Sequence, residues 1–347
     1  MEWEGGQGRG IAYPALTPPL SPGVAVWLNT TASELSLGTG GVEFVVAQAE
    51  PGAAGSAFPL RRADGHVLRV RYTPLQHRVC VVEDEASPHR ERFLTPLPGP
   101  WVVLAAELHS QALAALIAAH GTAPQLRLAY LQLDSAALPL AFSRCLARLV
   151  NDGVIQATIT VGQGFGGSLE AVNVYSGLAA ARNVASADLV VVGQGPGNVG
   201  TGTEYGFSGL ALAEALHAAE HLGAEAHLAP RLSAADPRPR HVGLSHHTGT
   251  LLRCLRVSTT LWFPQEGVDC VAALPPLRVA QRVRIAVDPA NLQLLAPYQK
   301  ELTTMGRTVE QDPLFFQAAV TAGAEAARAV TACRDSECEE LASGDPS

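Results

Sequence analysis

Between residues 101 and 229 an apolar run gives way five times to a polar or glycine-rich turn, and four of those turns lead into a helical pattern. The runs fall at 101–107, 126–133, 155–161, 189–192 and 224–229; the helical patterns fall at 111–120, 139–150, 169 to about 184, and beyond Gly209. Strand, turn and helix in this rhythm, with connections short enough for right-handed crossovers, predict a mostly parallel sheet with helices on both faces. The expected class is α/β, Rossmann-like and three-layered. All five turns then lie at the carboxyl edge of one sheet, where open α/β sheets bind ligands at a switch point. That placement gathers His109, Ser110, Asp134, Glu170, Thr201, Thr203 and Asp236 into one expected constellation.

The flanks read differently. Residues 13–82 are rich in proline, glycine and β-branched residues in short near-alternating runs, which predicts a small β module over residues 1–97. Within it Thr39-Gly40-Gly41 reads as a wide turn in preference to an anion nest. Prolines at 96, 98 and 100 mark a linker, and the α/β domain is expected over 101–330. Later strands are expected at 259–263 and 283–287. A helical segment capped by Asp288 should run to Lys300, and another should open at Asp312-Pro313 and run through Val330. The acidic, serine-containing residues 331–347 predict a disordered tail.

Composition removes several function classes. A net charge of −8 lacks the basic face of a nucleic-acid binder. The apolar runs fall short of membrane-spanning length. Residues 1–10 have neither the basic start nor the apolar core of a secretion signal. The six cysteines show no paired CxxC spacing, so reduced thiols and a cytoplasmic location are expected.

The chemistry concentrates in two glycine loops and one histidine-rich segment. Gly195-Pro-Gly-Asn-Val-Gly200 spells G-x-G-x-x-G, yet NAD is disfavoured. The motif follows the fourth run, Pro196 removes an N–H, and no acid for a ribose ends the next run. Its backbone and threonines suit a phosphate or carboxylate instead, and a second loop, 162–167, reaches the same edge. The expected ligand contacts are Gly164, Gly166, Gly167, Glu170, Gly195, Gly197, Gly200, Thr201, Thr203, Arg238, Arg240 and Ser110. His246 or His247 is the candidate general base with Asp236 as its orienter. His109, Asp134 and His241 are candidate ligands for a divalent metal of the zinc, manganese or iron class, although no HExxH spacing is present.

A set of motifs also carries a resemblance. Leu28-Asn-Thr-Thr-Ala with Leu37-Gly-Thr-Gly-Gly41, Arg71-Tyr-Thr-Pro-Leu-Gln76, Leu108-His-Ser110, Ala136-Ala-Leu-Pro139 and Phe142-Ser143 form its first half. Phe165-Gly-Gly-Ser-Leu-Glu-Ala171, Gly195-Pro-Gly, Gly200-Thr-Gly-Thr203, Gly206-Phe-Ser-Gly209, Asp236-Pro-Arg-Pro-Arg-His241 and Ser245-His-His247 form its second. From about Tyr13 to Val330 the chain resembles the bacterial family filed as domain of unknown function 3866. The resemblance implies a bacterial cytoplasmic protein and no particular activity. It also implies more β-rich sequence ahead of Ala12-Tyr13-Pro14 in relatives, so residues 1–10 are expected to be a shortened start. Two readings remain at this level. One is a protein that binds a small anionic molecule at the sheet's carboxyl edge, with hydrolysis or group transfer as its chemistry if it is an enzyme. The other is a non-catalytic ligand sensor or scaffold, as a symmetric homo-oligomer.

Overall fold

The structure is a computed structural model and describes residues 2–3, 6–13, 20–34, 42–50, 65–135, 139–286 and 291–343. The chain divides into two compact units, residues 1–88 and 89–347. In the first, the strand Val42–Gln48 pairs in parallel with Arg9–Ile11 and antiparallel with Val26–Asn29. A separate hairpin joins Val67–Arg69 to His77–Val79. The buried Asn29 side chain donates to the carbonyls of Pro74 (3.1 Å) and Gln76 (2.7 Å), so one amide holds the 74–76 turn. The turn at Thr39-Gly40-Gly41 and the cap at Asp288 lie outside the described residues.

The second unit is an α/β fold on eight parallel strands: β1 (Val102–Ala105), β2 (Leu128–Gln132), β3 (Ala157–Thr160), β4 (Leu169–Glu170), β5 (Leu189–Gly193), β6 (Glu225–Leu228), β7 (Thr260–Phe263) and β8 (Arg282–Ile285). They run in the order β4-β3-β2-β5-β1-β6-β7-β8. Every residue of β1, β2, β3 and β5 is buried, as expected of strands covered on both faces. The helices are α1 (His109–Thr122), α2 (Arg144–Asn151), α3 (Val174–Ala179, continued by a π turn Ala180–Val184), α4 (Leu212–His221), α5 (His246–Cys254) and α6 (Pro313–Ser343). Helices α1 and α6 pack together on one side of the sheet, and α3 and α4 pack together. Right-handed crossovers require this separation, because β1 leads towards β2 in one direction and β5 leads over β1 to β6 in the other.

Three local expectations change. Leu169 and Glu170 form β4, paired to Ile159 and Thr160, where a helix was expected from 169. The helix starts only at Val174, where the Asn173 side chain accepts the Ser176 N–H. Sheet pairing, which local periodicity does not contain, decides Leu169 and Glu170. The expected helix towards Lys300 is a 3-10 segment, Leu292–Tyr298, with Pro297 inside it. Where the acidic composition predicts a disordered tail from 331, α6 continues to Ser343, and Arg334 on it forms an ion pair with the buried Asp188. Among the described residues no helix is long and apolar enough to cross a membrane.

The strand order fixes where a site can form. The successors of β1 and β6, which are β2 and β7, lie in opposite directions from the β1/β6 pair. Their exit loops therefore diverge at the carboxyl edge, where open α/β sheets bind ligands. The buried Gln111 of α1 links the two loops. Its Nε2 donates to the carbonyls of Ala229 (3.0 Å) and Pro230 (3.1 Å) beyond β6, and its Oε1 accepts the Glu107 N–H (3.2 Å) beyond β1.

Candidate functional site

Two clusters occupy the carboxyl edge, with the 195–206 loop between them. The first is a cleft of about 480 Å³. Leu108, His109 and Ser110 at the start of α1 line it, with Ser143 and Arg144 at the start of α2, residues 195–198, and the segment 300–305. The N-cap of α1 is Leu108, a side chain with no acceptor, so the positive end of that helix is left for another group. Ser143 is the N-cap of α2 and accepts the Leu146 N–H at 3.1 Å. Its Oγ also lies 2.6 Å from His109 Nε2, while His109 Nδ1 lies 3.2 Å from the Tyr130 hydroxyl. Tyr130 in turn accepts the Gly195 N–H at 3.1 Å, which ties the glycine loop to the strand beneath it. Burial lowers the His109 pKa to about 4, so its imidazole is neutral near pH 7 and able to accept a proton. Burial raises the Tyr130 pKa well above its ordinary value. Glu301 on the cleft wall pairs with Arg148 at 3.1 Å.

The second cluster centres on Glu107, which follows β1 and is 5 % exposed. Its Oε1 accepts from His247 Nδ1 (2.5 Å), Arg231 Nη1 (2.8 Å) and Asn198 Nδ2 (3.0 Å). Burial alone would raise its pKa; the His247 hydrogen bond and the Arg231 charge outweigh that and hold it at about 2. The His247 ring stacks on Phe207, with centroids 3.9 Å apart and planes 5° apart. Ser245, the N-cap of α5, accepts the His247 N–H at 3.2 Å and meets His241 Nδ1 at 2.8 Å. His241 is held at a pKa of about 3, by burial first and then by the charges of Arg231 and Arg238. His246 is lowered by burial and by its neighbours His247 and Arg240.

Against the sequence expectations, the structure brings some residues together and separates others. His241, His246 and His247 form one group, each offering a ring nitrogen within 4.8 Å of the others. Asp236 does not orient a histidine: Arg238 grips its carboxylate at 2.9 and 2.8 Å, with Arg307 at 3.4 Å and Arg231 at 3.6 Å. The bidentate Arg238 bond holds the Asp236 pKa below the usual carboxylate range. Glu107 holds the histidine instead. His109 and His241 lie in different clusters, and Asp134 accepts the Gln163 N–H at 3.0 Å, so those three do not assemble as a metal set.

The glycine loops also separate. In the 162–167 loop the N–H groups of Gly164, Gly166 and Gly167 donate to Val161 O (3.0 Å), Glu170 Oε1 (2.7 Å) and Thr160 Oγ1 (3.1 Å). That loop is a closed turn between β3 and β4. Gly195 and Gly197 line the cleft, and Gly200 lies against His247, where an added Cβ would come within 3.3 Å of Cε1. Thr201 and Thr203 are exposed, their hydroxyls 2.9 Å apart. Gly202 packs beside the exposed Arg240.

The residues that sequence reasoning missed are Glu107, Ser143 and Tyr130. Each carries a signal in retrospect: an acid ending a buried run, a serine one position before a helix, and a phenol within an aliphatic strand. A second cleft, of about 510 Å³ and lined by Arg182, Asn183, Asp188 and Arg334, has its charges spent internally. Arg182 donates to Asp188 and to the carbonyls of Ala187, Pro98 and Gly99.

Searches of the curated proteins and of the solved structures returned no match. The family model described as protein of unknown function (DUF3866) matches residues 9–323, most of the chain's length, and the chain belongs to that family.

Proposed function

We propose that the protein binds a small molecule bearing a phosphate or carboxylate in the cleft at the carboxyl edge. The observation that carries this reading is a convergence. The start of α1, whose N-cap Leu108 has no side-chain acceptor for the first-turn N–H groups, the backbone of Gly197 and Asn198, and the exposed cations Arg144 and Lys300 all line one cleft. Unpaired N–H groups and the helix dipole favour an anion there, and a guanidinium adds bidentate contact. Thermal denaturation with inorganic phosphate, a nucleotide, a sugar phosphate and a dicarboxylate tests it. One class should raise the melting temperature, with stabilisation of about 2.7 kcal/mol at a hundredfold excess over Kd. Arg144→Ala with Lys300→Ala should remove most of that rise. No response from any class would exclude the reading.

Hydrolysis or group transfer at the same cleft is favoured by one further observation. Ser143 Oγ, His109 Nε2, His109 Nδ1 and the Tyr130 hydroxyl form a continuous chain, the arrangement of nucleophile, base and orienter. A neutral His109 can accept the Ser143 proton as the oxygen attacks a phosphoryl or acyl centre of the ligand, and return that proton to the leaving group whose bond breaks. A fluorophosphonate probe should label Ser143 in the wild type and fail in His109→Gln. Equal labelling of both proteins would leave binding as the only role for the cleft.

A further inference from the structure

We propose that His241, His246 and His247 hold a divalent transition-metal ion of the zinc class. The residues are independent of the anion cleft, so neither reading depends on the other. His241 closes the 3-10 turn Pro239–His241, and His246 and His247 open α5. The short hairpin Leu232–Ser233 with Gly243–Leu244 turns the chain between them, and Gly243 takes a φ of +66° that suits glycine. The three rings meet at centroid distances of 4.3, 4.8 and 5.0 Å. Tetrahedral coordination at about 2.0–2.1 Å places ligand nitrogens roughly 3.3 Å apart, so ring nitrogens already within 4.8 Å of one another need draw together by no more than about 1.5 Å.

Three features distinguish the cluster from histidines that merely share a core. First, the Nδ1 atoms of His247 and His241 are engaged by Glu107 and Ser245, which leaves their Nε2 atoms as the free donors. A carboxylate behind a ligating imidazole is the usual outer contact of such sites. Second, His246 Nε2 is buried without a hydrogen-bond partner. A metal would satisfy it, and a buried polar atom left alone is otherwise costly. Third, the nearby arginines are already offset. Arg231 pairs with Glu107, Arg238 with Asp236 and Arg307 with Asp312. Among the described residues Arg240 has no carboxylate at ion-pair distance, and it is exposed beside Gly202, where it could bind an anion carried by the metal. Three imidazoles leave a fourth position for water or substrate, the ligand count of catalytic zinc.

Full-length protein without a histidine tag, stripped with chelator and dialysed against zinc or cobalt(II), tests the site. About one zinc ion per chain should remain by elemental analysis, and cobalt should give the strong visible bands of a four-coordinate ion. His246→Gln should lose zinc affinity by about a hundredfold or more, and Glu107→Gln by 10–100-fold, as outer-contact changes do. Circular dichroism confirms the fold of each variant. If Glu107→Gln does not fold, the half-buried His246→Gln decides the matter alone. Folded wild type that retains no zinc, or His246→Gln that binds zinc like the wild type, would overturn the proposal.

Discussion

Glu107 is a carboxylate that the fold removes from water and then surrounds with donors. Its replacement by alanine leaves Arg231 buried with Asp236 at 3.6 Å as its remaining carboxylate. Loss of one partner of a buried pair costs about 3–5 kcal/mol, and the urea midpoint of Glu107→Ala should fall accordingly. His109 sets a pH dependence with a definite sign. Its pKa is lowered by burial to about 4 in the folded chain, from an ordinary value near 6.5. The unfolded chain therefore takes up the proton first. Stability is fully present above pH 6.5 and declines as pH falls towards 4, by at most about 3 kcal/mol. His109→Gln should reduce the slope over that window in urea titrations at successive pH values, the remainder coming from the lowered His241 and His246; an unchanged slope would contradict the assignment. The histidines were legible in the sequence because they crowd one polar segment. Glu107 was not, since it closes an apolar run and its partners come from residues 198, 231 and 247.

At the scale of elements, the α1 and α6 pair controls the frame behind the cleft. The two helices pack together, and Ala115 on one meets Gly323 on the other. At Gly323 an added Cβ would lie 2.1 Å from the carbonyl oxygen of Ala115, a backbone atom that cannot step aside. Gly323→Ala should therefore destabilise by about 1–3 kcal/mol or more, and a melting temperature equal to wild type would show the helices free to separate. The loop after β5 has a similar demand. Gly195 has φ +77°, and an added Cβ there would lie 2.7 Å from Gln132 Oε1. Gly195→Ala should abolish any ligand-induced thermal shift at the cleft, while Gly197→Ala, with open space around its Cβ position and φ +97°, should weaken it less. The two glycine loops looked alike in sequence. Only one lines the cleft, because hydrogen bonds to Thr160 and Glu170 close the other on itself.

For the whole molecule, residues 89–347 contain every side chain named in the cleft and in the histidine cluster. We expect that segment, expressed alone, to unfold in one cooperative transition and to keep the zinc and anion responses. A segment that lacks near-ultraviolet circular dichroism would show that residues 1–88 are required. The sequence by itself determined the α/β class and seven of the eight strands to within a few residues. Those are local properties, set by apolar runs, turn residues and their spacing. The tertiary structure alone decided the strand order, and with it which loops meet at the carboxyl edge. It also decided which residues share a site. Glu107 with His247, and Ser143 with His109, are separated by 140 and 34 positions in the chain. No local pattern encodes those pairings, because they arise only when the loops after different strands converge at one edge of the sheet.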